Sequence, residues 1–125
     1  VHPNHLEKAD PTNYVEMNKG VVIKHNASTA YTTDGISWGI FKAILDENKV
    51  PYQHYTNRSD QRGGSTLGAI SLSKVSINSI DIGLAQLAMH SMYETAGTKD
   101  PAYLLDAVKA FYNSNITYID NKYKI

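Results

Sequence analysis

Apolar and polar positions divide the chain into short runs with two different periods. Val21-Val22-Ile23 follows Gly20 and ends in Lys24, a β-branched apolar run of the kind that forms a buried strand. From Thr33 the period changes. Ile36, Ile40 and Ile44 recur every fourth residue with Phe41 and Ala43 beside them, which predicts one apolar helical face up to about Lys49, capped by Thr33 or Asp34. Pro51 closes that helix, and Tyr52-Gln53-His54-Tyr55-Thr56 alternates aromatic and polar side chains as a half-exposed strand does. After a loop from Asn57 to Gly64, Ser65 caps a predicted short helix reaching about Lys74, with Leu67 and Ile70 inward. Val75-Ser76-Ile77 and Ile80-Asp81-Ile82 predict a second buried strand ending at Gly83. Asp100-Pro101 starts a last helix, with Asp100 as its cap and Leu104, Val108 and Phe111 as its buried stripe. Residues 1–19 read as an irregular loop, and the pattern of residues 113–125 fits an edge strand, a short helix or a tail equally well.

Strands alternating with helices predict an α/β fold, a mainly parallel or mixed sheet sandwiched between helical layers. A length of 125 residues suits one compact unit or one piece of a larger one, with residues 1–125 forming a single portion. Twelve basic residues balance twelve acidic ones, so no net field favours nucleic acid or an anionic membrane, and a charged ligand must be held by local groups. Cysteine is absent, which removes disulfides and thiol nucleophiles and fits a reducing, cytoplasmic setting. No apolar run approaches the roughly 20 residues of a membrane helix. The start Val1-His2-Pro3-Asn4 has neither an initiator methionine nor a signal-peptide pattern, so the polypeptide reads as part of something longer.

Candidate chemistry gathers where α/β sheets hold ligands, at the C-terminal ends of strands. Lys24 ends the first strand. Gly63-Gly64-Ser65-Thr66 sets two glycines before a helix start, where free amides favour a carboxylate or phosphate, although a ligand-free turn is the commoner meaning of such a stretch. His90 follows the apolar Leu87-Ala88-Met89 where a strand should give way to a loop. It is either a hydrogen-bonded core residue or a metal ligand of the sort zinc commonly uses. His2 and His5 flank Pro3, which disfavours a helical two-ligand site. His25 and His54 have no supporting pattern and read as structural or surface residues.

Four stretches together, HPNHLEKADPTN, GVVIKHN with Tyr31 seven residues after Lys24, NRSDQRGGSTLGAI and DIGLAQLAMHSMYE, resemble the C-terminal part of the catalytic domain of aspartyl aminopeptidases, from residue 1 to about 112. The resemblance implies a three-layer α/β/α zinc-exopeptidase fold and a metallo-aminopeptidase that removes N-terminal Asp or Glu from peptides. It implies two zinc ions in the intact enzyme and a homo-oligomer, typically a dodecamer. By the same resemblance His90 is a metal ligand, Lys24 meets the substrate's acidic side chain, Gly64, Ser65 and Thr66 line the substrate pocket, and His2, close to the active site and a subunit contact, is the catalytic residue of this stretch. Ala30, Ala85 and Tyr93 depart from the family pattern, which usually has arginine, proline and arginine there. The remaining metal ligands and the catalytic Glu of the family precede the HPN motif, so this stretch alone is expected to be inactive and nearly metal-free. The alternative is a non-catalytic α/β module that binds an acidic peptide or a protein partner.

Overall fold

The structure, a computed structural model, describes residues 4–61 and 63–125. Its central unit is a β-α-β crossover. Strand β1 (Val21–His25) leads into helix α1 (Gly35–Glu47), and β2 (Tyr52–Thr56) returns parallel to β1 with Val21 opposite Tyr52 and His25 opposite Thr56. Gly20 makes the entry possible. Its φ of 105° lies in the region glycine favours, and a Cβ there would run into the Pro51 carbonyl that accepts the Val21 amide at 3.0 Å. Helix α2 (Leu67–Leu72) precedes β3 (Ile82–Gly83), which pairs antiparallel on the other side of β1, giving a mixed sheet ordered β2-β1-β3. A small hairpin of β4 (Gln86–Leu87) and β5 (Thr95–Ala96), helix α3 (Asp100–Asn113) and a hairpin of β6 (Thr117–Ile119) and β7 (Lys122–Lys124) complete the order. The α/β class and mixed sheet are as expected.

The core lies on one face of β1. Val21 and Ile23, two residues apart, point to the same side and pack with Phe41 and Leu45 of α1, Val50, and Ala107 of α3. Both long helices therefore form one layer against this face. Their inward stripes sit differently from the pattern read in the sequence. On α1 the buried residues are Ser37, Phe41, Ile44 and Leu45, whereas Ile36 is 48% exposed and Ala43 is also exposed. On α3 the contact runs through Tyr103, Leu104, Ala107 and Ala110, and Phe111 stays at the rim against Phe41. Two alanines let α3 approach β1 closely, and that approach sets which side of the helix is buried.

Three further expectations are corrected. Asp100 is not the cap of α3 but its first residue, fully buried, with its carboxylate accepting the amides of Asn18 at 2.7 Å and Gly20 at 3.2 Å. Residues 75–81 form no strand: Val75 and Ile77 are exposed, and only Ile82–Gly83 pairs with β1 as a named strand. Helix α2 is shorter than 65–74, is capped by Thr66 rather than Ser65, and leaves Leu67 and Ile70 exposed. It is joined to the sheet by polar ties, described below, instead of an apolar face. The C-terminal segment resolves as the hairpin β6–β7, whose turn places Asp120 and Asn121 at φ of 51° and 58°, a conformation these residue types tolerate.

Candidate functional site

Alternation along β1 sends Ile23 and His25 to the core side and Val22 and Lys24 to the other. Lys24 stands opposite Tyr55 of β2. Its ammonium lies 5.7 Å from the centre of the Tyr31 ring, a cation–π distance, and Tyr31 and Tyr55 lie 6.4 Å apart centre to centre. On the other flank is Gly83, where a Cβ would stand 3.1 Å from Lys24 Cε and 3.4 Å from Nζ. Among the described residues Lys24 forms no ion pair with a carboxylate. Burial raises the pKa of both phenols, helped at Tyr31 by Tyr55 and Asp81, so the rings beside the ammonium are neutral.

The glycine turn reaches the same end of β1 through a single carboxylate. Thr66 Oγ1 donates to Asp81 Oδ2 at 2.8 Å while accepting the Gly68 amide at 3.2 Å, the N-cap bond of α2. The same Oδ2 accepts the Thr32 amide at 3.0 Å, and the Asp81 carbonyl accepts the Lys24 amide at 2.9 Å. Lys24 and Thr66 are thus tied to one residue. Gly64 and Ser65 are exposed, and the space around Gly64 is open, whereas a Cβ on Gly63 would strike the Asn57 side chain.

His90 occupies the loop between β4 and β5. Its φ is 69°, that of Ala88 is 51°, and the turn is held by the Ser91 amide on the Ala88 carbonyl at 3.0 Å and by Glu94, whose carboxylate accepts the His90 amide. The imidazole is exposed, not sealed in the core, and its ring makes no hydrogen bond among the described residues. No contact joins it to Lys24 or to Thr66. Among the described residues no group of three His, Asp or Glu side chains converges as a metal site. The donor set therefore fits one ligand of a zinc site, not the whole of one. His2 lies outside the described residues, and His5 is exposed with Nδ1 2.9 Å from Glu7.

The sequence reading missed two features. Asp81 reads as an interruption of an apolar run, and its partners Thr32 and Thr66 are 49 and 15 residues away. His25 and His54 form a pair, Nε2 to Nδ1 at 3.0 Å, with Trp38 edge-on to His54 at 4.5 Å. A histidine at the end of the first predicted strand and another within the second were the available signal. Burial lowers both pKa values, with His54 adding to the effect at His25 and Lys42 adding to it at His54.

Comparison with known proteins places this architecture. The family model described as aminopeptidase I zinc metalloprotease (M18) matches residues 1–112. The chain belongs to that family. Among curated M18 relatives, "Probable M18 family aminopeptidase 2" of Clostridium novyi (strain NT) is 50% identical over 113 residues, 90% of this chain and 26% of the relative. A chain in the cryo-EM structure of the Ape4 and Nbr1 complex superposes with a TM-score of 0.85 at 33% identity, covering 89% of this chain and 21% of that one. The S. cerevesiae mApe1 dodecamer shares the fold, with a TM-score of 0.77 at 22% identity over 90% of this chain and 24% of that one. The M18 chain thus spans about a quarter of the length of the curated relatives it matches. No helix among the described residues is long and apolar enough to cross a membrane.

Proposed function

We propose that this chain is the part of a cytoplasmic zinc aminopeptidase's catalytic domain that selects peptides with an N-terminal Asp or Glu and supplies one metal ligand. The observation that carries the reading is the Lys24 ammonium, free of any carboxylate partner among the described residues and set between the Tyr31 face and Gly83. An ammonium held this way can form a charge-assisted contact with a substrate carboxylate, and neutral phenols beside it do not compete. Gly64, Ser65 and Thr66 lie across the Asp81 tie from Lys24, where exposed backbone and two hydroxyls can line the pocket for the first residue. His2, by the family resemblance, stands near the site.

His90 is the metal ligand in this reading, its ring turned to solvent on a loop braced by Glu94. Zinc, two ions in the intact enzyme, supplies Lewis-acid polarisation of the scissile carbonyl and an activated water. Lys24 binds and orients the acidic side chain of the substrate's first residue. By this reading the stretch alone is inactive, since among the described residues it offers His90 as a single ligand, and the intact enzyme is a homo-oligomer, a dodecamer like the mApe1 assembly.

The test uses the intact enzyme. Lys24→Ala removes a contact worth about 1.5–3 kcal/mol, so kcat/KM on an Asp-peptide should fall roughly ten- to a hundredfold while that on a Leu-peptide changes little. Equal loss on both substrates removes Lys24 from the selecting role. His90→Ala should lower bound zinc, measured by elemental analysis, together with activity. Full zinc occupancy in that variant would take His90 out of the metal site.

A further inference from the structure

We infer that Asp81 is the positioning residue for acid selection: by joining Thr32 and Thr66 on its carboxylate while its main-chain carbonyl holds the Lys24 amide, it fixes where the glycine turn stands relative to the Lys24 ammonium. The inference rests on reading Lys24 as the contact for the substrate's acidic side chain.

Five hydrogen bonds converge on Asp81. Its Oδ2 accepts from the Thr66 hydroxyl at 2.8 Å, the Thr32 amide at 3.0 Å and the Thr32 hydroxyl at 3.3 Å. Its amide donates to Thr33 Oγ1 at 2.9 Å, and its carbonyl accepts the Lys24 amide at 2.9 Å. The loop leaving β1, the cap of α2 and the entry to β3 therefore meet at one residue. Gly68 provides a second, independent sign that the junction is closed. A Cβ there would lie 2.5 Å from Thr32 Cγ2, 3.0 Å from Asp81 Oδ2 and 3.1 Å from Thr66 Oγ1, so the junction occupies the space a side chain would need.

The carboxylate works here without contesting the ammonium. An acid next to a binding lysine ordinarily pairs with it and competes with an acidic ligand, yet Asp81 spends one oxygen on three neutral donors and lies beyond salt-bridge distance of Lys24. The Thr66 hydroxyl uses its proton on Asp81 and a lone pair on the Gly68 amide, which orients it fully. Little apolar contact supports α2, in which no residue is buried, so these bonds decide where the turn sits. Opening the junction frees the turn to drift from Lys24 and leaves the core-side layer untouched.

Steady-state kinetics of the intact, zinc-loaded enzyme on Asp-p-nitroanilide and Leu-p-nitroanilide tests this. Asp81→Ala should raise KM for the Asp substrate at least tenfold with kcat within a few-fold, and should leave KM for the Leu substrate nearly unchanged. Asp81→Asn keeps a carbonyl acceptor and should restore most of the preference. Gly68→Ala favours the helix while forcing the junction open, so it should reproduce the Asp81→Ala split and decides the matter if that variant does not fold. In the Lys24→Ala background Asp81→Ala should add no further loss of preference. Equal effects of Asp81→Ala or Gly68→Ala on both substrates, or none on either, would overturn the inference. Acid preference surviving Lys24→Ala would instead overturn the reading of Lys24 on which it depends.

Discussion

Asp100 shows how one buried charge can hold a chain reversal. Fully enclosed at the start of α3, it takes the Asn18 amide on one oxygen and the Gly20 amide on the other, fastening the turn that delivers the chain into β1. Asp100→Ala strands two backbone donors and should cost about 1–3 kcal/mol for each group left unpaired. Asp100→Asn keeps one acceptor and should fall between, as urea midpoints would show. A wild-type midpoint for the alanine variant would mean the amides find other partners. In the sequence Asp100 announces only a helix start, because Asp-Pro has that local meaning wherever it occurs. Its partners some 80 residues earlier have no trace in the neighbouring letters.

At the scale of elements, what is local in cause was legible. The β-branched run Val21–Ile23 and the aromatic alternation at Tyr52–Thr56 became strands with the expected limits to within a residue, and Asp34 caps α1 as its chemistry suggests. Asp34 accepts the Ser37 amide at 2.7 Å, and the Ser37 hydroxyl accepts the Asp34 amide at 3.0 Å, a reciprocal box that also holds the Asp34 carboxyl below its ordinary pKa. Asp34→Ala should therefore destabilise by about 0.5–2 kcal/mol, measured by thermal unfolding. An effect near zero would assign the helix to its packing alone. The buried side of each helix was legible in part: Phe41, Ile44 and Leu104 face inward as the period predicts, whereas Ile36 and Phe111 satisfy the period yet lie exposed, and Ser37 and Ala110 are buried instead. The loop position of His90 was legible from the end of an apolar run. The junction at Asp81 was not, because nothing in Ile80-Asp81-Ile82 says which hydroxyls will arrive.

For the molecule as a whole, the His25–His54 pair links the central strands to solvent acidity. The ring centres are 5.2 Å apart with the nitrogens at 3.0 Å, an excess close to two ring radii, so the contact runs along the line between the rings and holds one proton at most. On α1, Trp38 and the Lys42 ammonium, itself paired with Asp46, face this pair, and Tyr52 flanks it on β2. Burial lowers both pKa values first, and the neighbouring charges lower them further. The unfolded chain therefore takes up protons once pH falls to about 6.5 while the folded chain resists, so stability is full above that value and declines below it until the folded pair itself protonates. Urea midpoints should fall between pH 7.5 and 5.5, and His25→Gln/His54→Gln should flatten the slope. An unchanged slope in that double variant would place the protons elsewhere.

Lys24 and His25 are adjacent letters of one strand, yet they serve opposite sides of the sheet. A single-residue insertion between Gly20 and Lys24 would exchange them, thrusting a cation among Trp38 and the aliphatic core and presenting an imidazole to the tyrosines. The tight seat of Gly20 on the Pro51 carbonyl is what sets the phase of that alternation. Chemistry on one side of this protein is thereby indexed by a hinge of backbone at the start of the strand, and length changes there should be tolerated far less than changes of side chain.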